Sequence, residues 1–175
     1  MDREEQKLIG ACGLDCYLCP RFHTKDRNKC PGCKLIETNT WCGIFQCCVL
    51  QKYLVTCADC EEYPCERLLP LPGQRFHKLR RPNLDRIKEI GIEFMLKEQK
   101  GKHSLLKYLL DNYDDGYSIN FYCLVCNFMP VSLIEDAISE VKKMIANHQI
   151  DSSDLRLKIA TLKSVIKRNS DYLPR

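Results

Sequence analysis

No stretch of about eighteen successive apolar residues occurs in the chain, so nothing in it reads as a membrane-spanning helix. The start, MDREEQKLIGACG, carries acidic residues where a secretory leader would be basic, and no long apolar run follows. That points away from export and towards the cytoplasm. There is no Walker loop, no dinucleotide fingerprint, no HExxH and no GxSxG elbow, so hydrolase, kinase and dehydrogenase readings lose their usual support; the balance leans away from an enzyme and leaves the question open. Repeats of fixed period and low-complexity tracts are also missing, which excludes solenoids and disordered tails. What remains is a chain of 175 residues, 29% charged and 45% hydrophobic, with the composition of a soluble globular protein and enough length to bury a core.

The abundant feature is cysteine: thirteen residues, eleven of them between Cys12 and Cys65. In a reducing compartment, clustered thiols serve metal ligation rather than cross-linking, and the odd count argues against complete pairing. Two Cys-x-x-Cys pairs, Cys16/Cys19 and Cys30/Cys33, lie ten residues apart, close to the spacing with which two tight turns converge on one tetrahedral ion. Cys12 is a spare thiol beside them. A second group follows: Cys42, Cys47, Cys48, Cys57, Cys60 and Cys65. Cys57 and Cys60 form its knuckle, and Cys65 with either Cys42 or Cys47 completes a tetrahedron; Cys48, beside Val49 and Leu50, reads as packing. The partition of these thiols between two ions stays open, and a third site would draw on His23 or His77.

Zinc is the favoured metal, about two ions in closed four-thiolate sites. The alternative is an iron–sulfur cluster with an electron-transfer or thiol-based redox role, because four thiolates hold a cluster as well as they hold zinc. Cys12, Cys16 and Cys19 also read C-x3-C-x2-C, the triad of radical S-adenosylmethionine enzymes. Such an enzyme needs a large barrel, and the rest of this chain reads as helices. Each four-thiolate zinc site adds a net charge of about −2. Two of them bring the formal +4 to zero. The basic balance is therefore poor evidence for nucleic-acid binding.

The fold expected is a small metal-stabilised, irregular Cys-rich module over residues 10–67, a connector over 68–83, and an all-α part over 84–175 with a helical hairpin. Residues 10–67 sustain no helical or strand period, so something other than an apolar core must hold them. Pro70, Pro72, Gly73 and Pro82 mark the connector. Leu84, Ile87, Ile90 and Phe94 predict a helix with Asn83 as N-cap, and Ser104 is placed to cap a second, stopped near Gly116. Leu133, Ile134, Ala137, Ile138, Val141, Met144 and Ile145 predict an amphipathic helix. Leu155, Ile159, Leu162 and Ile166, after Asp151–Ser153, predict its hairpin partner, joined near Ile150.

CGLDCYLCP, the KCPGC knuckle, Cys42 and Cys47, CADCEEYPCERL and the LDRIKEIGIEF segment together resemble an uncharacterised, mostly prokaryotic family, described as a domain of unknown function with predicted zinc binding. The resemblance runs from about Cys12 to Gln99. It implies a Cys-rich metal-binding module followed by a helix, and it implies no activity, substrate or partner.

Other features carry less. Cys123 and Cys126, inside INFYCLVCNFM, fall on one helical face and read as packing, with ligation or redox as the lesser reading. Arg75, His77, Lys78, Arg80 and Arg81 surround Phe76 as a phosphate-binding surface would, yet a solvated loop explains them equally. Lys158, Lys163, Lys167 and Arg168 form the polar face of the last helix, and His103 and His148 stand alone at the surface. The expected role is that of a binding or regulatory module, with a protein partner favoured over nucleic acid and no membrane involved.

Overall fold

The computed structural model describes residues 6–25, 27, 29–36, 42–69 and 75–173. Its helices are α1 (Pro20–His23), α2 (Gly43–Phe45, continued as a wide turn through Gln46–Gln51), α3 (Arg80–Ile90), α4 (Ile92–Tyr113), α5 (Ile119–Phe128), α6 (Val131–Ala146) and α7 (Leu155–Lys167). Among the described residues there is no β-strand, only an isolated bridge between Ile9 and Asp15. No described helix is long and apolar enough to cross a membrane. The chain divides into two compact units, Met1–Lys100 and Gly101–Arg175, and the boundary falls inside α4.

The first unit is built mostly from short turns, as the aperiodic sequence of residues 10–67 requires. Its apolar residues nevertheless find one another. Ile9, Ala11, Cys48, Cys57, Ala58 and Leu68 form a single buried cluster with Leu84, Ile87, Met95 and Leu96 from α3 and α4. The expectation that this region lacks an apolar core is corrected here. Scattered apolar positions are gathered by tight turns such as Cys57–Asp59, whose N-cap Thr56 accepts the amide of Ala58 at 3.3 Å, and helix α3 supplies the surface on which they pack.

Helix α3 begins four residues earlier than the N-cap reading of Asn83 predicts. Pro82 sits in its first turn, where the missing N–H would have had no intrahelical partner. Asn83 instead uses its side-chain amide to donate to the carbonyl of Gly13 at 2.8 Å. Gly91, at φ +82°, ends α3, and α4 starts directly after it. Phe94, expected on the buried stripe, is therefore on the open side at 59% exposure. Ser104 caps nothing, because α4 runs through it with its side chain exposed, where a serine costs little. Pro70, Pro72 and Gly73 of the expected connector lie outside the described residues.

The second unit follows its pattern closely. Gly116, at φ +80°, lies in the turn after α4. Helices α6 and α7 pack as a hairpin, with Ile134, Ala137, Ile138 and Val141 against Ile159, Leu162 and Ile166, and Ile150 buried in the link. The cap of α7 is Asp154, accepting from the amide of Leu157 at 2.9 Å, rather than the preceding Asp151–Ser153 run. Asp151 instead accepts the amide and hydroxyl of Ser153, each at 2.8 Å, in a local turn.

Leu162 has no exposed surface. Replacing it with alanine should cost about 2–5 kcal/mol, read as a lowered urea midpoint of the full chain. Glu135→Ala on the exposed face of α6 should stay within about 0.5 kcal/mol. Equal midpoints for the two variants would contradict this packing.

Candidate metal centre

The first cysteine loop is folded by its own backbone. Gly10 donates to Leu14 at 2.8 Å, Gly13 to Gly10 at 2.9 Å, Cys16 to Leu8 at 2.8 Å, and Cys19 to Cys16 at 3.0 Å. These bonds turn Cys12, Cys16 and Cys19 towards one side. Asp15, 5% exposed, accepts the amide of Tyr17 at 3.0 Å and braces the same turn. Gly13 must be glycine: φ is +82°, and a β-carbon there would lie 2.7 Å from Leu84 Cγ and 2.9 Å from the Arg80 carbonyl.

The second knuckle comes to the first through the amide of Cys30, which donates to the Arg21 carbonyl at 2.8 Å and sets Cys30 beside Cys19. Gly32, at φ +94°, turns the Pro31-Gly32 step. A β-carbon built on Gly32 would sit 3.6 Å from Cys16 Sγ, and one on Gly10 would sit 3.4 Å from Cys33 Sγ and 3.7 Å from Cys12 Sγ. Small residues thus leave room for sulfur on both sides. Backbone amides point at the sulfurs: Leu14 at Cys12, Arg21 and Phe22 at Cys19, and Ala11 at Cys33.

Two opposing effects act on these thiols. Burial pushes Cys12, Cys16 and Cys19 up and carries Cys33 to about 11, while the amide donors pull the other way. The thiols also act on one another, each resisting a neighbour's negative charge. Cys16 feels Cys33, Cys12 and Cys19; Cys33 feels Cys12 and Cys42; Cys12 feels Cys42. The structure therefore brings Cys42, read from sequence with the second group, beside Cys12 and Cys33.

The second group lines a cavity of about 60 Å³. Cys47, Cys48, Cys57, Cys60 and Cys65 contribute sulfur to its wall, with Ile44, Tyr63 and Leu68 as apolar neighbours and Lys52, Glu62 and Arg67 as charged ones. The amide of Cys57 donates to the Ala11 carbonyl at 2.9 Å, tying this group to the first loop, and that of Cys60 donates to Cys57 at 3.2 Å. Cys48 is 2% exposed and belongs to the apolar cluster, in line with its packing role. It also shares a hydrogen bond with Cys57; that bond and burial together hold the Cys57 thiol well above its ordinary value, and the bond lowers that of Cys48 against the effect of burial.

All thirteen cysteines carry free thiols. Among the described residues, no group of three or more His, Cys, Asp or Glu side chains is arranged as a metal-ligand set. The donor chemistry fits a thiophilic ion, since sulfur, amide donors and space coincide; the sulfurs stand as neighbours and do not converge on one point. His23 Nε2 contacts the Tyr17 carbonyl, and His77 Nε2 lies 3.0 Å from the Arg80 guanidinium. Cys123 and Cys126 have no exposed surface in α5, and burial raises Cys126 to about 12, as packing predicts.

Three cations at the sulfurs escaped the reading of the sequence. Lys52 Nζ donates to Cys60 Sγ at 3.4 Å and pairs with Glu62 at 2.7 Å. The Arg80 guanidinium hydrogen-bonds the Cys12 sulfur. Lys34 follows Cys33 directly, and its Nζ is enclosed with no hydrogen-bond partner among the described residues. The position of Lys34 after CPGC was a usable signal, and Lys52 lies only eight residues before Cys60; Arg80 had none, being distant in sequence from Cys12.

Residues 8–70 match the model of a family described as a protein of unknown function, DUF3795. The resemblance to an uncharacterised family is borne out over that segment. No curated protein and no solved structure gives a significant match to the chain.

Gly13→Ala should lower the stability of the first unit by roughly 2 kcal/mol or more, combining backbone strain with the clash on Leu84. Gly116→Ala, with the same sign of φ and open space around it, should cost only about 1 kcal/mol. Urea unfolding of both variants checks the difference, and equal losses would refute the close approach of Gly13 to α3.

Proposed function

We propose that the Cys-rich segment is a zinc-pinned binding module whose two thiolate sites are structural. The observation that supports this most is the grouping of eleven free thiols into two neighbourhoods of at least four sulfurs each, with backbone amides aimed at three of the sulfurs. One ion draws its ligands from Cys12, Cys16, Cys19, Cys30, Cys33 and Cys42. The other takes Cys47, Cys57, Cys60 and Cys65. The final convergence of the sulfurs belongs to binding, which in such modules is coupled to folding of the segment that carries them. A closed four-thiolate zinc leaves no position for water or substrate, and its contribution is to folding rather than to a reaction.

A protein partner suits the surface of the first unit better than nucleic acid does. Leu50, Tyr53 and Val55 are exposed large apolar residues, and Tyr53 and Val55 border a groove of about 480 Å³ floored by Phe45, Val49 and Leu54. Of the basic cluster around Phe76, Arg80 turns to Cys12 and His77, which leaves fewer charges for phosphate.

Anaerobically purified full-length protein should be colourless and carry about two zinc ions per chain. Removing them with a strong chelator under reductant should abolish amide protection across residues 10–67 and leave that of residues 119–167 unchanged. A brown protein absorbing near 400 nm, with iron and acid-labile sulfide, overturns zinc in favour of a cluster. Retention of amide protection after metal removal overturns the structural role.

A further inference from the structure

Lys34 is built the wrong way round for a surface lysine. Such residues lay the alkyl stem along apolar surface and hold the ammonium in water. Here the stem borders the groove of Phe45, Val49 and Leu54, while Nζ is enclosed and, among the described residues, has no hydrogen-bond partner. The groups that act on it most strongly are sulfurs: Cys33, then Cys48, Cys16 and Cys12. A buried unpaired ammonium costs several kcal/mol. Neutral thiols, weak acceptors, offset little of that. Thiolates would offset it.

Arg80 repeats the theme from the other side. Its terminal nitrogens meet the Leu69 carbonyl at 3.5 Å and His77 at 3.0 Å, its guanidinium reaches the Cys12 sulfur, and its Nε is enclosed with no partner among the described residues. Lys52 completes the set at 3.4 Å from Cys60 Sγ. Three cations from separate parts of the chain are thus directed at sulfur.

We propose that Lys34, with Arg80 and Lys52, is a counter-cation of anionic thiolate centres, holding charge density on the sulfurs and thereby retaining the metal. The proposal rests on the zinc reading. A four-thiolate zinc carries a net charge of about −2, which an adjacent ammonium and guanidinium offset directly. Their removal should leave that negative charge uncompensated, raising the energy of the sulfur lone pairs and of the loaded site and so weakening the hold on the ion, as loss of other outer partners of metal ligands does.

The test uses full-length Lys34→Met, close in length and neutral, with Lys34→Arg as the charge-preserving variant. Zinc affinity is measured by competition with a chromophoric chelator, and cobalt(II) substituted for zinc gives the sulfur-to-metal charge-transfer band. Lys34→Met should bind zinc about 10–100-fold more weakly and shift the cobalt band to longer wavelength, and Lys34→Arg should restore both. A role confined to packing would lower stability without moving the band. Unchanged affinity and an unshifted band in Lys34→Met overturn the proposal while leaving the zinc reading intact. Wild-type protein that binds neither zinc nor cobalt overturns both. Should Lys34→Met not fold, Lys52→Met provides the same reading at the second group: an unmoved band there counts against the proposal.

Discussion

The close approach of the Gly13 backbone to the first turn of α3 is the contact on which the first unit depends. Leu84 and the Arg80 carbonyl occupy the space where any other residue would place a β-carbon, and Asn83 closes the contact by donating to the Gly13 carbonyl. Because Gly13 lies between Cys12 and Cys16, this one apposition fixes the cysteine loop on a rigid helix. It also delivers Arg80 to the Cys12 sulfur. Loop conformation, helix start and side-chain chemistry at the sulfurs are thus parts of one geometric solution.

Two sources of cohesion meet around that contact. The apolar cluster of Ile9, Ala11, Leu68, Leu84 and Ile87 is an ordinary core, and Cys48 and Cys57 take part in it as small buried groups. The other thiols stand around it, enclosed enough for burial to oppose ionisation and yet supplied with amide and cationic donors that favour it. Cys126, in α5 with no exposed surface, is dominated by desolvation, with the charge of Lys102 opposing it.

Legibility in the sequence followed periodicity. The α6–α7 hairpin was readable because its buried residues recur with helical spacing and its link carries Ile150 between polar turns. The start of α3 was misread because Asn83 looks like a cap and Pro82 like a breaker; a proline in the first turn is harmless, and the cap residue was needed elsewhere by Gly13. The break at Gly91 and the continuation through Ser104 turn on one positive φ and one exposed serine, neither of which disturbs the apolar pattern. Cys16/Cys19 and Cys30/Cys33 were visible as knuckles, since local turns depend on local sequence. Cys42 beside Cys12 and Cys33 was not, since the spacing left Cys42 and Cys47 as equal candidates for the second group.

By itself the sequence determined that sulfur dominates the early chain, that the knuckles lie there, and that the later chain is helical, because these are consequences of composition and short-range spacing. Tertiary structure alone decided which thiols became neighbours, that an apolar cluster supports them, and that Lys52 and Arg80 meet sulfur. Most of those outcomes join positions well separated along the chain, and their geometry follows from how turns and helices stack, which no spacing along the chain encodes.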